Sequence, residues 1–147
     1  MVFYAKAFPE LSGREVYEIL KSRSEVFLME QNIVCLDADG KDYESLHCFF
    51  EDKNRIVAYL RAFSDGSDGV LIGRVLSLSR KKGIGRKLME ESAEAIVKHF
   101  SAKKITVHAQ KQAAGFYEKM GFIPVSSEHV IEGIPHITME KQCIVDM

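Results

Sequence analysis

The pattern that most constrains the fold is a run of three strand-like segments followed directly by one long helical segment. The strand-like segments are 46–51, 56–63 and 70–79, and short stretches of turn-forming residues separate them. From residue 83 to about residue 100, apolar residues recur at helical spacing. Strands joined by short turns pair antiparallel, so this order predicts a meander whose last strand leads into a helix.

The remaining segments add further strands and two more helices. Ser12 and Glu15 have the spacing of a capping box, which predicts a helix over residues 13–27. The other predicted elements are strands at 2–7 and 104–109, a helix at 112–120, and strands at 122–125 and 136–140. The order β-α-β-β-β-α-β-α-β-β predicts an α/β protein with a mixed (α+β) sheet and helices packed on it. We expect residues 1–147 to form a single domain, because no linker-like segment divides them.

The charge balance limits the partners that the chain is expected to have. Twenty Lys and Arg residues against 21 Asp and Glu residues give a net charge of −1. Proteins that bind nucleic acids or membrane surfaces usually carry a large basic excess, so we expect neither partner. Three scattered cysteines, Cys35, Cys48 and Cys143, do not suggest a disulfide framework. Without a recognisable secretion signal, the chain is expected to be cytoplasmic.

The turn between the longest predicted strand and the longest predicted helix is basic and rich in glycine. Its sequence over residues 80–85 is Arg-Lys-Lys-Gly-Ile-Gly. Backbone N–H groups at a helix start lack intrahelical partners, and the helix dipole favours an anion there. Gly83 and Gly85 would let the backbone approach such an anion closely. The turn therefore predicts a pyrophosphate cradle, although a solvated basic helix cap would use the same residues.

A second segment carries a resemblance to a known family. Residues 110–122, QKQAAGFYEKMGF, resemble the Asn-x-x-Ala-x-x-x-Tyr-x-x-x-Gly-Phe ending of the GNAT N-acetyltransferases, with Gln110 in place of the asparagine. The basic turn matches that superfamily's Arg/Gln-x-x-Gly-x-Gly/Ala motif. Five further stretches resemble its ElaA-like branch: RSEVFLMEQ at 23–31, DGKD at 39–42 together with His47, GRV at 73–75, AQ at 109–110 and GIPH at 133–136. The stretch entering the basic turn is somewhat shorter than in that branch.

The resemblance implies acetyl-CoA as the co-substrate, bound where the strands at 70–79 and 104–109 separate. The strand end would pair with the pantetheine arm, and the basic turn would bind the pyrophosphate. No metal ion is implied. The implied cofactor-binding residues are Leu76, Ser77, Leu78, Arg80, Lys81, Lys82, Gly83, Ile84, Gly85, Arg86, Gln110, Phe116 and Tyr117.

The resemblance also implies catalytic roles. Tyr117 matches the tyrosine that protonates the departing thiolate as a general acid. The general base stays open among Glu30, His47 and His136, each in a stretch that resembles the branch, and a water chain could replace all three. Histidine has the ordinary pKa best suited to this task, yet a lone histidine is more often structural.

Three arginines fall in elements that are expected near the cleft: Arg23, Arg61 and Arg74. An arginine inside a strand is costly to bury without a partner, so we expect an ion pair with Glu30 or Asp42. Alternatively, one of these arginines binds a carboxylate on the acceptor substrate.

The same residues permit more than one interpretation of the function. The favoured function is an N-acetyltransferase acting on a small amine or a peptide amine, as a monomer or homodimer. The alternative is a non-catalytic acyl-CoA-binding module. A thiol hydrolase built on Cys48 and His47 is disfavoured, because adjacent strand residues point to opposite faces. The acidic loop at 37–42 lacks carboxylates at the first and last positions of a calcium loop, so no metal is expected.

Overall fold

A mixed sheet forms the centre of the computed structural model, which describes residues 1–78 and 83–143. Within them the sheet has eight strands, in the order β1-β2-β3-β4-β5-β8-β6 with β7 also paired to β8. The bounds are β1 Val2–Ala7, β2 Leu46–Asp52, β3 Arg55–Ser64, β4 Gly69–Ser77, β5 Lys104–Gln110, β6 Ile123–Pro124, β7 His129–Ile131 and β8 Ile134–Gln142. Neighbouring strands are antiparallel except β4 and β5, which are parallel. The predicted mixed sheet and its central meander are confirmed.

Helix α1 (Gly13–Arg23) begins at the predicted capping box. The Ser12 hydroxyl accepts a hydrogen bond from the Glu15 N–H at 3.0 Å, and the Glu15 carboxylate accepts one from the Ser12 N–H at 2.8 Å. The prediction that this helix ends at residue 27 is wrong, because the chain continues as a π-helical segment, Ser24–Glu30. Gln31, the residue that follows this segment, contacts Gln110 on β5.

Two further helices follow the parallel strands. Helix α2 (Ile84–Phe100) comes after β4, and helix α3 (Ala114–Lys119) comes after β5, as predicted. The first turn of the segment predicted at 112–120 is a 3₁₀ turn, Lys111–Ala113. Other 3₁₀ turns lie at Phe8–Glu10 and Lys41–Glu44.

The predicted element order lacked β7. This strand has only three residues and forms a hairpin with the start of β8, in which Ile131 pairs with Ile134. Glu132 and Gly133 form the two-residue turn, and both have positive φ, +49° and +75°. Such turns match the twist of antiparallel strands. A three-residue strand is too short to show an alternating pattern in the sequence.

The sheet separates two apolar cores. Alternation along β2 assigns Cys48 and Phe50 to the core beneath α2 and α3, and Phe49 to the core beneath α1. On β5, the buried side chains of Val107 and Ala109 also belong to the α2 core. Residues between them on β5 therefore lie on the opposite face of the sheet.

Candidate active site

Strands β4 and β5 separate before either strand ends. Among the described residues their parallel register runs only as far as the pair Ile72 and Val107. β4 nevertheless continues to Ser77, and β5 continues to Gln110. An opening between parallel strands leaves backbone N–H and C=O groups available to a ligand that adds to the strand edge.

A β-bulge bends β4 where it leaves β5. The register between β3 and β4 shifts between Tyr59 and Arg61, and Arg74 on β4 has a φ of +54°. A positive φ costs a non-glycine residue about 1–2 kcal/mol, so other contacts must stabilise this backbone. Asp37 supplies them: its carboxylate accepts from Arg74 Nε at 2.9 Å, and its carbonyl accepts from Arg74 Nη2 at 3.0 Å.

Arg74 belongs to a larger group of ion pairs, called here the Arg–Asp cluster. Its members are three arginines and three aspartates, namely Arg23, Arg61, Arg74, Asp37, Asp39 and Asp42. The fully buried Arg23 lies 2.9 Å from Asp37 and 2.7 Å from Asp42. Arg61 lies 2.6 Å from Asp39 and 3.1 Å from Asp42. The cluster fixes the loop after the π-helical segment onto β3 and β4.

The cluster strongly perturbs two of its carboxyl groups. Hydrogen bonds from Arg61 hold the pKa of Asp39 well below its usual range. Burial alone would raise the pKa of Asp42, but hydrogen bonds from Arg23 and Arg61 lower it overall. Ion pairing of the arginines is thus as expected. The expected partner of Arg74 was wrong, because Arg74 pairs with Asp37 and not with Glu30 or Asp42.

The N-terminus of α2 has the features of an anion site. Gly83 precedes the helix with a φ of +88°, and its carbonyl accepts the Lys87 N–H at 3.0 Å. The N–H groups of Ile84, Gly85 and Arg86 precede this first intrahelical hydrogen bond, and N–H groups at such positions have no carbonyl partner within their helix. No side chain among the described residues caps the helix start. These N–H groups and the helix dipole can therefore bind a phosphate.

The basic side chains of this turn are only partly described. Arg80, Lys81 and Lys82, predicted to bind the pyrophosphate, lie outside the described residues. Arg86 is exposed, and its Nε donates to the carboxylate of Glu90 at 3.0 Å. Such an exposed pair is weak enough to exchange for a phosphate.

Tyr117 lies on α3, packed between two aromatic rings. It is 5% exposed, and the ring centroids of Phe116 and Phe122 lie 5.2 and 5.5 Å away. The Phe116 ring also reaches the start of α2, where a Cβ added to Gly85 would lie 3.5 Å from it. Burial raises the pKa of Tyr117 to about 12. The phenol therefore stays protonated through neutral pH.

The predicted pantetheine strand has mixed exposure. Leu76 is buried in the α1 core, Ser77 is exposed and Leu78 is half-buried. The Leu78 N–H donates to the Val57 carbonyl at 2.8 Å, so it is committed to β3. Ile84 places its side chain in the α2 core, so only its backbone is suited to ligand contact.

The ends of β5 and of the π-helical segment meet at a pair of glutamines. Gln110 Nε2 donates to Gln31 Oε1 at 3.0 Å, and Gln112 Nε2 donates to Gln110 Oε1 at 2.6 Å. In the sheet register, His136 on β8 lies opposite Gln110. Glu30, immediately before Gln31, is exposed. The structure thus brings Gln31, Gln110 and His136 to the side of β5 that faces away from α2.

His47 occupies a different environment, 1% exposed beside the Arg–Asp cluster. Its Nε2 lies 2.9 Å from the carbonyl of Asp42, which can only accept, so Nε2 carries the proton. Its Nδ1 therefore accepts from the Tyr59 hydroxyl at 2.7 Å. Burial lowers the pKa of His47. Cys48 lies in the opposite core, where burial raises the pKa of the thiol to about 12.

Two histidines near the opening were missed by the sequence analysis. His108 on β5 has its ring centroid 6.1 Å from that of His129 on β7, and His129 lies 6.5 Å from His136. One signal was available, because His108 stands two residues before Gln110 and strand alternation places both on one face. His129 carried no such signal, since β7 itself was not predicted.

A cavity of about 340 Å³ lies beneath α1, away from the strand opening. Its walls are mainly apolar and include Phe8, Val16, Leu20 and Tyr43. Its polar boundary is formed by Arg–Asp cluster residues and His47. The cluster therefore separates this cavity from the bulge at Arg74.

Three features thus lie around the strand opening: the parted ends of β4 and β5, a helix start that no described side chain caps, and Tyr117 on the helix that follows β5. The chain belongs to the GNAT acetyltransferase family: residues 9–143 match the family described as "Acetyltransferase (GNAT) domain". It is an acyl-CoA-dependent N-acetyltransferase. Within the described residues, no helix is long and apolar enough to cross a membrane.

Among its relatives is the protein ElaA of Escherichia coli (strain K12), 35% identical over 141 residues that cover 92% of each chain. The crystal structure of E. coli ElaA superposes with a TM-score of 0.90 at 32% identity, covering 97% of this chain and 100% of that one. An acyl-CoA N-acyltransferase from Pseudomonas aeruginosa gives 0.89 at 30% identity, over 96% and 99%. An aminoglycoside 6'-N-acetyltransferase complexed with coenzyme A shares the fold, with a TM-score of 0.76 at 14% identity over 97% of each chain. The resemblance to the ElaA-like branch is confirmed.

Proposed function

We propose that the protein transfers the acetyl group of acetyl-CoA to a small amine or a peptide amine by direct attack within a ternary complex. The observation that carries this proposal is the opening of the sheet beyond Ile72 and Val107. Each strand at the opening leads into one part of the site. β4 leads to the N-terminus of α2, and β5 leads to α3 with Tyr117.

In this proposal coenzyme A binds along the opening. The pyrophosphate accepts hydrogen bonds from the amides of Ile84, Gly85 and Arg86 at the start of α2. The pantetheine arm lies beside β4 near Leu76 and Ser77, where it takes the place of a neighbouring strand. Support comes from the coenzyme A complex of the aminoglycoside 6'-N-acetyltransferase, which has the same fold. The basic side chains at 80–82 would add positive charge at the pyrophosphate.

Tyr117 then serves as the general acid. The amine nitrogen attacks the thioester carbon, the C–N bond forms and the C–S bond breaks. The departing sulfur takes the phenol proton of Tyr117, and the second proton lost by the nitrogen restores the phenol. The phenol carries its proton at neutral pH, as a general acid must, while its raised pKa makes it a weaker acid than an exposed tyrosine.

His136 is the base candidate that the geometry favours. Both ring nitrogens of His47 are hydrogen bonded in a buried site, which leaves it no lone pair for an amine. His136 Nδ1 lies 2.7 Å from the carbonyl of Ile134, so Nδ1 carries the proton and Nε2 has the lone pair. The exposed carboxylate of Glu30, which precedes Gln31 in the chain, would attract an ammonium group. We assign the arginines of the Arg–Asp cluster to holding the loop at 37–42, since aspartates engage all three.

The test combines binding with turnover. Purified protein is mixed with acetyl-CoA and a panel of primary amines, and release of the free thiol is followed. Tyr117→Phe removes only the hydroxyl and is expected to lower kcat by about 10²–10⁴-fold with unchanged acetyl-CoA affinity. Tyr17→Phe is the matched control, because Tyr17 lies exposed on α1 and should retain full kcat.

Each outcome bears on a separate part of the proposal. A melting shift with acetyl-CoA but not with NADH or ATP supports the cradle, and a ligand at 100 times its Kd stabilises by about 2.7 kcal/mol. Binding without thiol release from any amine would favour the non-catalytic module. An unchanged kcat in Tyr117→Phe would refute the role of the phenol.

A further inference from the structure

Three histidines lie on one face of the sheet where β5, β8 and β7 meet. The register pairs His108 with Thr138, Gln110 with His136, and His129 with His136. Directly opposed residues share a face, and so do residues two apart on one strand. His108, His129 and His136, called here the histidine cluster, therefore face the same side, opposite to α2.

His108 brings the histidine cluster to the edge of the strand opening. His108 follows Val107, the last residue of β5 that pairs with β4. Gln110, two residues further on the same face, contacts Gln31 at the end of the π-helical segment. His136 and His129 lie on β8 and β7, on the side of β5 away from the opening. An acceptor bound beside β5 on the face opposite α2 would therefore meet His108 first.

The hydrogen bonds of two cluster members fix their tautomers. His136 Nδ1 lies 2.7 Å from the Ile134 carbonyl, and His129 Nδ1 lies 3.1 Å from the Ser127 carbonyl. A carbonyl can only accept, so in the neutral rings Nδ1 carries the proton and Nε2 keeps its lone pair. Two imidazoles thus present a basic nitrogen whose orientation is set by the backbone.

The surroundings of His108 favour its neutral form. Burial, followed by the charges of His129 and His136, lowers the pKa of His108. The nearby lysines each have a carboxylate beside them: Lys104 lies 3.9 Å from Glu140, and Lys111 lies 3.1 Å from Glu128. The carboxylate of Glu30 lies at the end of the π-helical segment. Exposure increases from His136, which is 9% exposed, through the half-buried His129 to the exposed His108.

We propose that the histidine cluster is the proton-accepting wall of the acceptor site, in which His108 and His129 act together with His136. An incoming ammonium gives one proton to an Nε2 of the cluster, which leaves a neutral amine and one imidazolium. The exposed side of the cluster then releases that proton to water. This accounts for the one proton that is set free overall when an ammonium and acetyl-CoA become an amide and a free thiol. No metal is needed, and the described residues contain no group of three or more His, Cys, Asp or Glu side chains arranged to hold one. This inference rests on the proposed function.

The test is the pH profile of kcat/KM, with phenethylamine and glycinamide as amine probes. His129→Gln removes a cation that neighbours His108, so the acid limb of the kcat/KM profile should move to higher pH. The expected shift is about 0.5 pH unit, which is the Coulomb interaction of two unit charges ~6 Å apart in a water-like medium. The triple variant His108→Gln, His129→Gln, His136→Gln should lose about 100-fold or more at pH 7, recover partly with added imidazole, and keep its acetyl-CoA affinity. His99→Gln on α2 is the control and should match the wild type.

The outcomes separate this inference from the proposed function. A triple variant with the wild-type pH profile and rate would overturn the proton-accepting role, while acetyl transfer would stand. A wild type that acetylates no amine would overturn both. NMR titration of labelled histidine rings adds a readout without turnover: His129→Gln should raise the titration midpoint of His108, and an unmoved midpoint would refute the coupling.

Discussion

Replacing Arg23 with methionine should destabilise the protein strongly, because Arg23 is fully buried between two carboxylates. Removing one partner of a buried ion pair costs about 3–5 kcal/mol. Two features place this case near the lower limit. Asp42 keeps its contact with Arg61, and Asp37 is about one third exposed and keeps Arg74. We therefore expect a loss of about 3 kcal/mol, or about 6–12 °C in Tm for a chain of this size.

Urea and thermal unfolding at pH 7 measure this loss. Arg14→Met is the matched control: Arg14 pairs with Glu51 at 2.8 Å, but its side chain is 45% exposed. An exposed pair contributes about 0–1 kcal/mol, so the control should change Tm by no more than ~4 °C. Equal losses in the two variants would refute the view that the Arg–Asp cluster stabilises the fold.

Three other predictions follow from single features of the structure. Two aspartates of the Arg–Asp cluster have lowered pKa values, so the stability that they contribute above about pH 4 should be lost as the pH falls. Arg61→Met should make this loss smaller when the free energy of unfolding is measured with urea at several pH values. Parallel curves of unfolding free energy against pH for the variant and the wild type would contradict this. A thiol reagent should label the exposed Cys35 in the native protein and spare the buried Cys48, as mass spectrometry can check. Gly83→Ala should cost about 1–2 kcal/mol because of its positive φ and weaken acetyl-CoA binding, whereas Gly115→Ala in α3 should do neither.

Much of the fold could be predicted because its elements are long and locally patterned. The capping box set the start of α1, and strand-like runs bounded by turn-forming residues set β2, β3 and β4 to within one or two residues. What failed was short or non-standard. No sequence pattern distinguishes a π-helical segment at 24–30 from a helix end, and β7 is too short to alternate. Both omissions affect the sheet face opposite α2, because Gln31 directly follows the π-helical segment and His129 lies on β7.

Positions in the candidate site could be predicted only where a local motif sets the geometry. The places of Gly83 before α2 and of Tyr117 on α3 follow from short motifs next to helix boundaries, and their roles stay predictions. The Arg–Asp cluster joins residues that are far apart in the chain, such as Asp37 and Arg74, so spacing could not identify the pairs. His47 illustrates the same limit, since its partner Tyr59 lies on the neighbouring strand β3 and commits it to the interior.

Because side chains alternate along β5, its neighbouring residues lie on opposite faces of the sheet and would serve different parts of the proposed site. Val107 and Ala109 face the core under α2, whose N-terminus is the proposed cofactor cradle, whereas His108 faces the opposite side, where the acceptor is proposed to bind. A substitution of Val107 or Ala109 should act through packing, and therefore change stability together with acetyl-CoA binding. A substitution of His108 should leave both nearly unchanged and alter the pH dependence of transfer. Neighbouring positions of one strand can thus separate cofactor binding from proton transfer.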